Sequence, residues 1–422
     1  MDPVRNPFSP GAGAPPPELV GREEILETAR INLSRVRLGK PERSLLLTGL
    51  RGVGKTVLLN KIGEISADLG YLKLSIEAIE SKPFIEILVP GIRSLLLELS
   101  LKEGVRDSVK KAVAVFKSFV GSMKLKVGEI ELGVEILPSL GHADSGSIEL
   151  DLPDLFVEVA TAAKNKDSAI ILLIDEIQYL STKDLSALIL SMHKIQQQQL
   201  PFYLVAAGLP SLPRLAGEAK SYAERLFLYP KVGPLSKADT EKGLQTPVKT
   251  LGVSFTQEAL EKIFTKTLGY PYFVQEWGSL SWRIATQSPI TGQIVDNVSE
   301  VVIPKLDESF FRVRFDRLTN KEKKYLRAMA ELGAAPQRTG DIARIMQTTQ
   351  QHLALTRANL LAKGMIYAPS HGLQTFTVPG EQPQDQKIQE EHQVETLGPI
   401  IILKIMRIYY RDRSRCHFFT LS

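Results

Sequence analysis

The sequence predicts an α/β fold: a parallel sheet flanked by helices, followed by a helical segment and then by three helices and a hairpin. Three observations carry this expectation. Ser44–Thr48 (SLLLT), Ala169–Ile174 (AIILLI) and Phe202–Ala206 (FYLVA) are short apolar runs of the kind that form buried parallel strands, and Tyr71–Ile76 reads as a further strand. Stretches with helical spacing, 55–69 and 182–198, alternate with these strands, which argues for a parallel sheet. From Ser236 to about Gln287 the spacing is helical throughout, consistent with a small bundle.

Each element has a local reason. Residues 1–18 are rich in Pro and Gly and are expected to be extended, without regular structure. Residues 19–39 read as a helix with Glu23 and Glu24 in its first turn, where the helix dipole favours acids. The long interval of about 83–166 is expected to hold two helices and then an inserted β-hairpin. Leu125 and Val127 are apolar on odd numbers, whereas Ile130, Leu132, Val134 and Ile136 are apolar on even ones. A two-residue turn at Gly128-Glu129 produces that parity flip and pairs Lys126 with Glu131. Farther on, Thr319 followed by Glu322 is a capping box opening a helix that ends at Gly333. A short helix at RTGDIARIM, a third at TTQQHLALTRANLLAKG and two strands about Pro-Ser-His-Gly complete winged-helix order. Residues 380–422 are expected to form a disordered tail.

Composition limits the function classes. Among 422 residues, Lys and Arg number 52 and Asp and Glu 47, so the net charge of +5 gives no overall basic footprint and any basic patch must be local. The one cysteine, Cys416, permits no intrachain disulfide and fits a reducing cytosol. The first residues lack the apolar core of a secretory signal, and Pro399–Met406, near a Lys404 interruption, is too short to span a bilayer. The expectation is a soluble cytoplasmic protein with no membrane partner.

The strongest chemical signal is GLRGVGKT: Gly49, Leu50, Arg51, Gly52, Val53, Gly54, Lys55 and Thr56. It matches G-x-x-x-x-G-K-[ST] in full, after an expected strand and before an expected helix. Glycines let backbone N–H groups close around phosphates, and the helix N-terminus adds its positive end. In this reading Lys55 reaches the β- and γ-phosphates of ATP and the Thr56 hydroxyl binds Mg²⁺. The second signal is AIILLIDEIQYL, in which an apolar strand delivers Asp175 and Glu176 at its C-terminal edge. Asp175 would hold Mg²⁺, and Glu176 would act as general base on the attacking water.

With PPPELVGREEIL, GLRGVGKT, LLIDEIQYL, AAGLPSLPRLAGEAKSYAERLF and GYPYFVQEWG in place, the chain resembles prokaryotic AAA+ ATP-binding proteins over about 15–378. The likeness is to those with an origin-recognition-like or STAND-type ATPase domain and a C-terminal winged helix. The resemblance implies a P-loop ATPase core over 19–235, a helical lid over 236–300 and a winged helix over 301–379. It implies adenine contacts from Leu19 and Val20 and from Pro271 in the family's GxP, here Gly269-Tyr270-Pro271. It places Arg225 where the family carries an arginine finger; the competing reading is a surface ion pair with Glu224 or Glu218. The end of the fourth strand, Leu204 to Gly208, has no polar sensor, and the helix after Pro271 offers Tyr272 and Gln275 rather than a sensor arginine. Slow ATP hydrolysis is therefore expected, with self-association when ATP is bound. Two roles stay open: a nucleotide-dependent switch on duplex DNA, of initiator or mobile-element type, or a STAND-like signalling or defence ATPase whose winged helix contacts protein. For DNA, the third helix carries Thr348, Thr349, Gln350, Gln351, His352, Arg357 and Asn359, and Arg312, Arg314, Arg317, Lys321, Lys323 and Lys324 cluster around the first.

Overall fold

The apolar runs pair into a five-stranded parallel sheet. The computed structural model describes residues 1–377 except 12, 81, 102–106, 126–135, 140, 307–314, 334 and 371. It divides into two compact units: Arg22–Gly49 with Lys55–Val232, and Met1–Gly21 with Leu50–Gly54 and the chain from Gly233 onward.

The first unit runs α1 (Glu23–Arg37), β1 (Ser44–Thr48), α2 (Lys55–Asp68), β2 (Tyr71–Glu77), α3 (Phe84–Leu101), α4 (Asp107–Ser122) and α5 (Ile148–Lys164). It continues with β3 (Ala169–Asp175), α6 (Thr182–Gln197), β4 (Phe202–Gly208), α7 (Leu212–Ala219), α8 (Ala223–Leu226) and β5 (Phe227–Leu228). The strand order is β2-β3-β4-β1-β5. Every residue of β1 and β4 is buried, which explains the apolar runs Leu45–Leu47 and Phe202–Ala207. Register aligns Thr48 with Gly208 and Ile174 with Ala206, so β1, β3 and β4 end at one edge of the sheet. One apolar core includes Leu72, Leu88, Phe116, Phe156, Leu172 and Leu204 from the sheet and helices α3 to α5. At the opposite edge, Tyr203 donates to the Arg43 carbonyl at 2.9 Å and accepts from Asn32 at 2.9 Å, and burial raises its phenol above the ordinary tyrosine range.

The interval about 83–166 holds three helices rather than two, because α5 follows the segment expected to form the hairpin. That hairpin lies mostly within 126–135, outside the described residues. Asp151, buried in the first turns of α5, accepts from the Ser145 and Gly146 amides at 3.2 and 2.9 Å and so fastens the loop before the helix.

The second unit holds α9 (Lys237–Lys249), α10 (Gln257–Thr267), α11 (Pro271–Ile284) and α12 (Gly292–Leu306). Ser236 and Thr256 cap α9 and α10 by accepting from Asp239 and Ala259 amides. The described residues of 1–18 form no α-helix or strand, in line with their Pro/Gly composition, apart from one short turn. Pro3–Arg5 form a 3₁₀ turn, and the segment lies against α11. The Trp282 indole donates to the Asp2 carbonyl at 2.7 Å, Asn6 donates to the Ser279 carbonyl at 3.1 Å, and Ser9 N–H donates to Gln275 at 3.2 Å. Phe8 is 5% exposed and meets Phe255 edge-on at 6.4 Å. The buried Phe8 ring anchors this irregular segment.

The same unit continues with α13 (Asn320–Leu332), β6 (Gln337–Arg338), α14 (Thr339–Ile345), α15 (Gln350–Ala362), β7 (Ile366–Tyr367) and β8 (Leu373–Phe376). Its three strands are antiparallel in the order β6-β8-β7, over a core of Leu326, Met329, Ile342, Leu353, Leu360 and Ile366. The capping box forms: Glu322 N–H donates to Thr319 Oγ1 at 3.3 Å and Thr319 N–H to Glu322 Oε2 at 2.7 Å. Burial alone would raise the Glu322 carboxyl, but the Lys363 ammonium at 2.8 Å and the Thr319 amide hold it below its ordinary range. The tail from 380 lies outside the described residues, as do Arg312 and Arg314. Among the described residues no helix is long and apolar enough to cross a membrane.

Candidate functional site

The sheet edge where β1, β3 and β4 end gathers polar side chains. β3 carries its last residue, Asp175, out of the buried run, and Glu176 then takes a left-handed conformation at φ 51° and ψ 37°. A non-glycine residue in that region is strained, and such strain concentrates at functional positions. A one-turn 3₁₀ helix, Ile177–Tyr179, follows. Asp175 Oδ1 accepts the Glu176 amide at 2.8 Å, and Asp175 Oδ2 accepts the Thr56 hydroxyl at 2.6 Å. Lys55, the first residue of α2, is 6% exposed. Gly49 N–H donates to the Gly208 carbonyl at 3.1 Å, holding the exit of β1 against the end of β4.

A hydroxyl and a carboxylate on neighbouring elements, with oxygens 2.6 Å apart, form the hard-oxygen donor set that a magnesium ion takes. Thr56 and Asp175 therefore fit the metal that the motif implies. Structure brings together Lys55, Thr56, Asp175 and Glu176 at one sheet edge. It does not bring Arg225 to them: among the described residues no hydrogen bond or ion pair joins Arg225 to that group. Arg225 is exposed on α8, and Glu218 is engaged by Arg214 at 2.6 Å, so the competing Arg225–Glu218 pair is not formed.

The remaining candidates lie in the second unit. Gly52 and Gly54 have φ of 82° and 91°, the glycine region that lets successive amides curl. The Arg51 amide donates to the Thr377 carbonyl at 3.3 Å, and the Gly52 carbonyl accepts the Tyr272 amide at 3.3 Å. Val20 is buried against α9, where a Cβ at Gly243 would stand 3.2 Å from its Cγ2; Leu19 and Pro271 are half-buried. Gly269, just before Pro271, has φ 70° and accepts the Leu235 amide at 2.8 Å.

One residue beside the acidic pair carries no role in the sequence reading. Gln178 donates from Nε2 to Glu176 Oε2, and its Oε1 accepts the Leu209 amide at 3.0 Å. It stands within DEIQYL, two residues beyond Glu176, but only folding shows that β4 ends beside it.

In the C-terminal elements, Arg338, Thr339, Asp341, Arg344, Gln350 and Leu373 line a cavity of about 630 Å³. Lys321 donates to the His352 carbonyl at 3.0 Å, and Lys323 lies 4.8 Å from the Phe315 ring centroid. The exposed residues of α15 carry no charged side chain, and Leu355 among them is 73% exposed.

Residues 18–205 match the AAA ATPase domain family, and residues 308–382 match a family described as a domain of unknown function, DUF8462. Residues 18–205 thus resemble AAA ATPase domains. No curated protein is similar to it. Among solved structures, the Walker-type ATPase PABY2304 of Pyrococcus abyssi is 16% identical, covering 92% of this chain and 96% of that one with a TM-score of 0.50. This likeness shows the α/β fold. The Aeropyrum pernix ORC1 protein in complex with DNA is 16% identical, covering 88% and 91% of the two chains with a TM-score of 0.45. The Thermotoga maritima RuvB Holliday junction branch migration motor is 14% identical, covering 84% and 92% with a TM-score of 0.42.

Proposed function

We propose that the chain binds ATP through Gly49–Thr56 and Asp175 and hydrolyses it slowly, with Glu176 as the general base. The observation that carries this reading is the 2.6 Å hydrogen bond from Thr56 to Asp175, which unites the two motifs at one sheet edge. The amides of Gly49–Thr56 and the Lys55 ammonium hold the phosphates. Magnesium, held by Thr56 and Asp175, would neutralise charge on the β- and γ-phosphates. Glu176 takes the proton of the attacking water as its oxygen bonds the γ-phosphorus and the bond to the β-phosphate oxygen breaks. Leu19, Val20 and Pro271 take the adenine. Hydrolysis is slow because β4 ends in Ala206, Ala207 and Gly208, and α11 offers Tyr272 and Gln275 where a cation would help. Arg225, from a neighbouring copy, supplies the missing charge and so ties turnover to self-association.

The helices α13 to α15 with their three strands are a winged helix that associates with duplex DNA, and nucleotide state switches that association. Arg338 and Arg344 on the cavity rim supply phosphate contacts. One observation favours the second reading, a signalling ATPase with a protein partner: the uncharged exposed face of α15 with Leu355 at its centre. Mass measurement of Glu176→Gln with ATP, with and without duplex DNA at low salt, tests the proposal. Assembly with ATP and a further shift with duplex are expected. Assembly without any duplex binding selects the protein partner, and neither response rejects the switch.

A further inference from the structure

We propose that Gln178 is a positioning residue for Glu176, tying its carboxylate to the end of β4. The inference rests on the reading of Glu176 as general base. It stands on hydrogen bonds at both ends of one side chain. Gln178 Oε1 accepts the Leu209 amide at 3.0 Å. A backbone N–H can only donate, so this contact fixes which end of the amide faces β4. The Nε2 end then faces Glu176 and donates to its Oε2. One carboxylate oxygen is held, and the other is left for water.

Gly208 makes room for this arrangement. A Cβ at that position would stand 2.8 Å from Gln178 Oε1 and 3.0 Å from Ile177 Cγ2. The last residue of β4 therefore has no side chain because the Gln178 amide fills its place. The absence of a polar side chain at the end of β4 and the presence of Gln178 are one feature: the chain leaving β4 reaches Glu176 through the Leu209 N–H and a borrowed amide. Glu176 is also the residue in left-handed backbone, so its aim is set from both the main chain and the side chain.

Three variants test this in the full chain, with ATP binding, steady-state hydrolysis and melting temperature measured together. Gln178→Leu removes both hydrogen bonds at similar volume. Its kcat should fall about 10- to 100-fold, a part of the roughly 10²- to 10⁴-fold that a placed general base supplies, while KM and ATP affinity stay within about 2-fold. Gln178→Glu still accepts from Leu209 but turns a second carboxylate on Glu176. The second carboxylate repels that of Glu176 instead of holding it, so kcat should fall at least as far as in Gln178→Leu, with KM again within about 2-fold. A packing role alone leaves kcat near the parent value in this variant, which keeps the side-chain volume and the Leu209 hydrogen bond. Gly208→Ala should reproduce the kcat loss by displacing Gln178, and it decides the matter if Gln178→Leu does not fold. Parent kcat in Gln178→Leu, or in Gln178→Glu, overturns the proposal. Glu176→Gln in parallel separates the two claims. If it is inactive while the Gln178 variants match the parent, only the positioning role fails; if it turns over like the parent, the general base itself is misassigned.

Discussion

Gly278 should change the sign of its effect when Phe8 is removed. Gly278 lies within α11, where an alanine ordinarily gains about 0.5–1 kcal/mol over glycine through chain entropy. Here an added Cβ would stand 2.9 Å from Phe8 Cδ1 and Cε1 and 3.1 Å from Leu244 Cδ2. The ring is nearly buried and braced by Phe255, so it cannot retreat freely. Overpacking of this kind costs about 1–3 kcal/mol, which exceeds the helix gain. Gly278→Ala should therefore destabilise the parent by about 1 kcal/mol. In a Phe8→Ala background the crowding atoms are gone, the Leu244 end can shift, and the same change should stabilise by about 0.5–1 kcal/mol. The coupling in the double-mutant cycle is then about 1.5–2 kcal/mol, well beyond additivity. Both tryptophans of the chain, Trp277 and Trp282, lie in α11, so urea unfolding followed by their fluorescence reads this helix directly. Equal costs of Gly278→Ala in the two backgrounds would refute the packing of the N-terminal segment on α11.

Three more outcomes follow from the same reasoning. Glu322 has a lowered folded-state pKa, so its stabilisation is complete above the ordinary glutamate value of 4.5 and is lost as pH falls through the lower folded value. Glu322→Gln should lower stability at neutral pH by about 1–3 kcal/mol and flatten the loss below that pH, read as melting temperature against pH. Arg225→Ala mixed with Lys55→Ala should regain ATPase activity that neither has alone, because a finger of this kind is worth about 10³ to 10⁵ in rate; an inactive mixture places Arg225 in its own chain or outside catalysis. Replacing Arg338 and Arg344 with Ala should reduce the salt slope of duplex binding by about 1 per lost phosphate contact, and an unchanged slope moves the contact elsewhere.

The sheet was legible because strands buried on both faces carry a continuous apolar run, and β1, β3 and β4 each did so. Lys55, Thr56, Asp175 and Glu176 were legible for a related reason: their motifs follow those strands directly. The two-residue β5 and β6 left no signal, since Phe227–Leu228 and Gln337–Arg338 are too short to show a period. α5 was hidden by Pro153 and by acids placed among its apolar residues. Composition marked the N-terminal segment as irregular but not its docking, because Phe8 packs against Gly278 and Phe255, more than 200 positions away in the sequence. Gln178 stood in view, yet its role depends on Leu209, which the fold alone brings beside it.

ATP affinity and phosphate release, measured for the parent, Lys55→Ala and Glu176→Gln under one set of conditions with magnesium, decide whether this sheet edge hydrolyses ATP. The parent should bind ATP and release phosphate slowly. Lys55→Ala should lose affinity, because the phosphates lose their fixed cation, and Glu176→Gln should keep ATP bound while releasing none. Tight binding by Lys55→Ala together with parent-like release from Glu176→Gln would contradict the assignment of this sheet edge as the site of ATP hydrolysis.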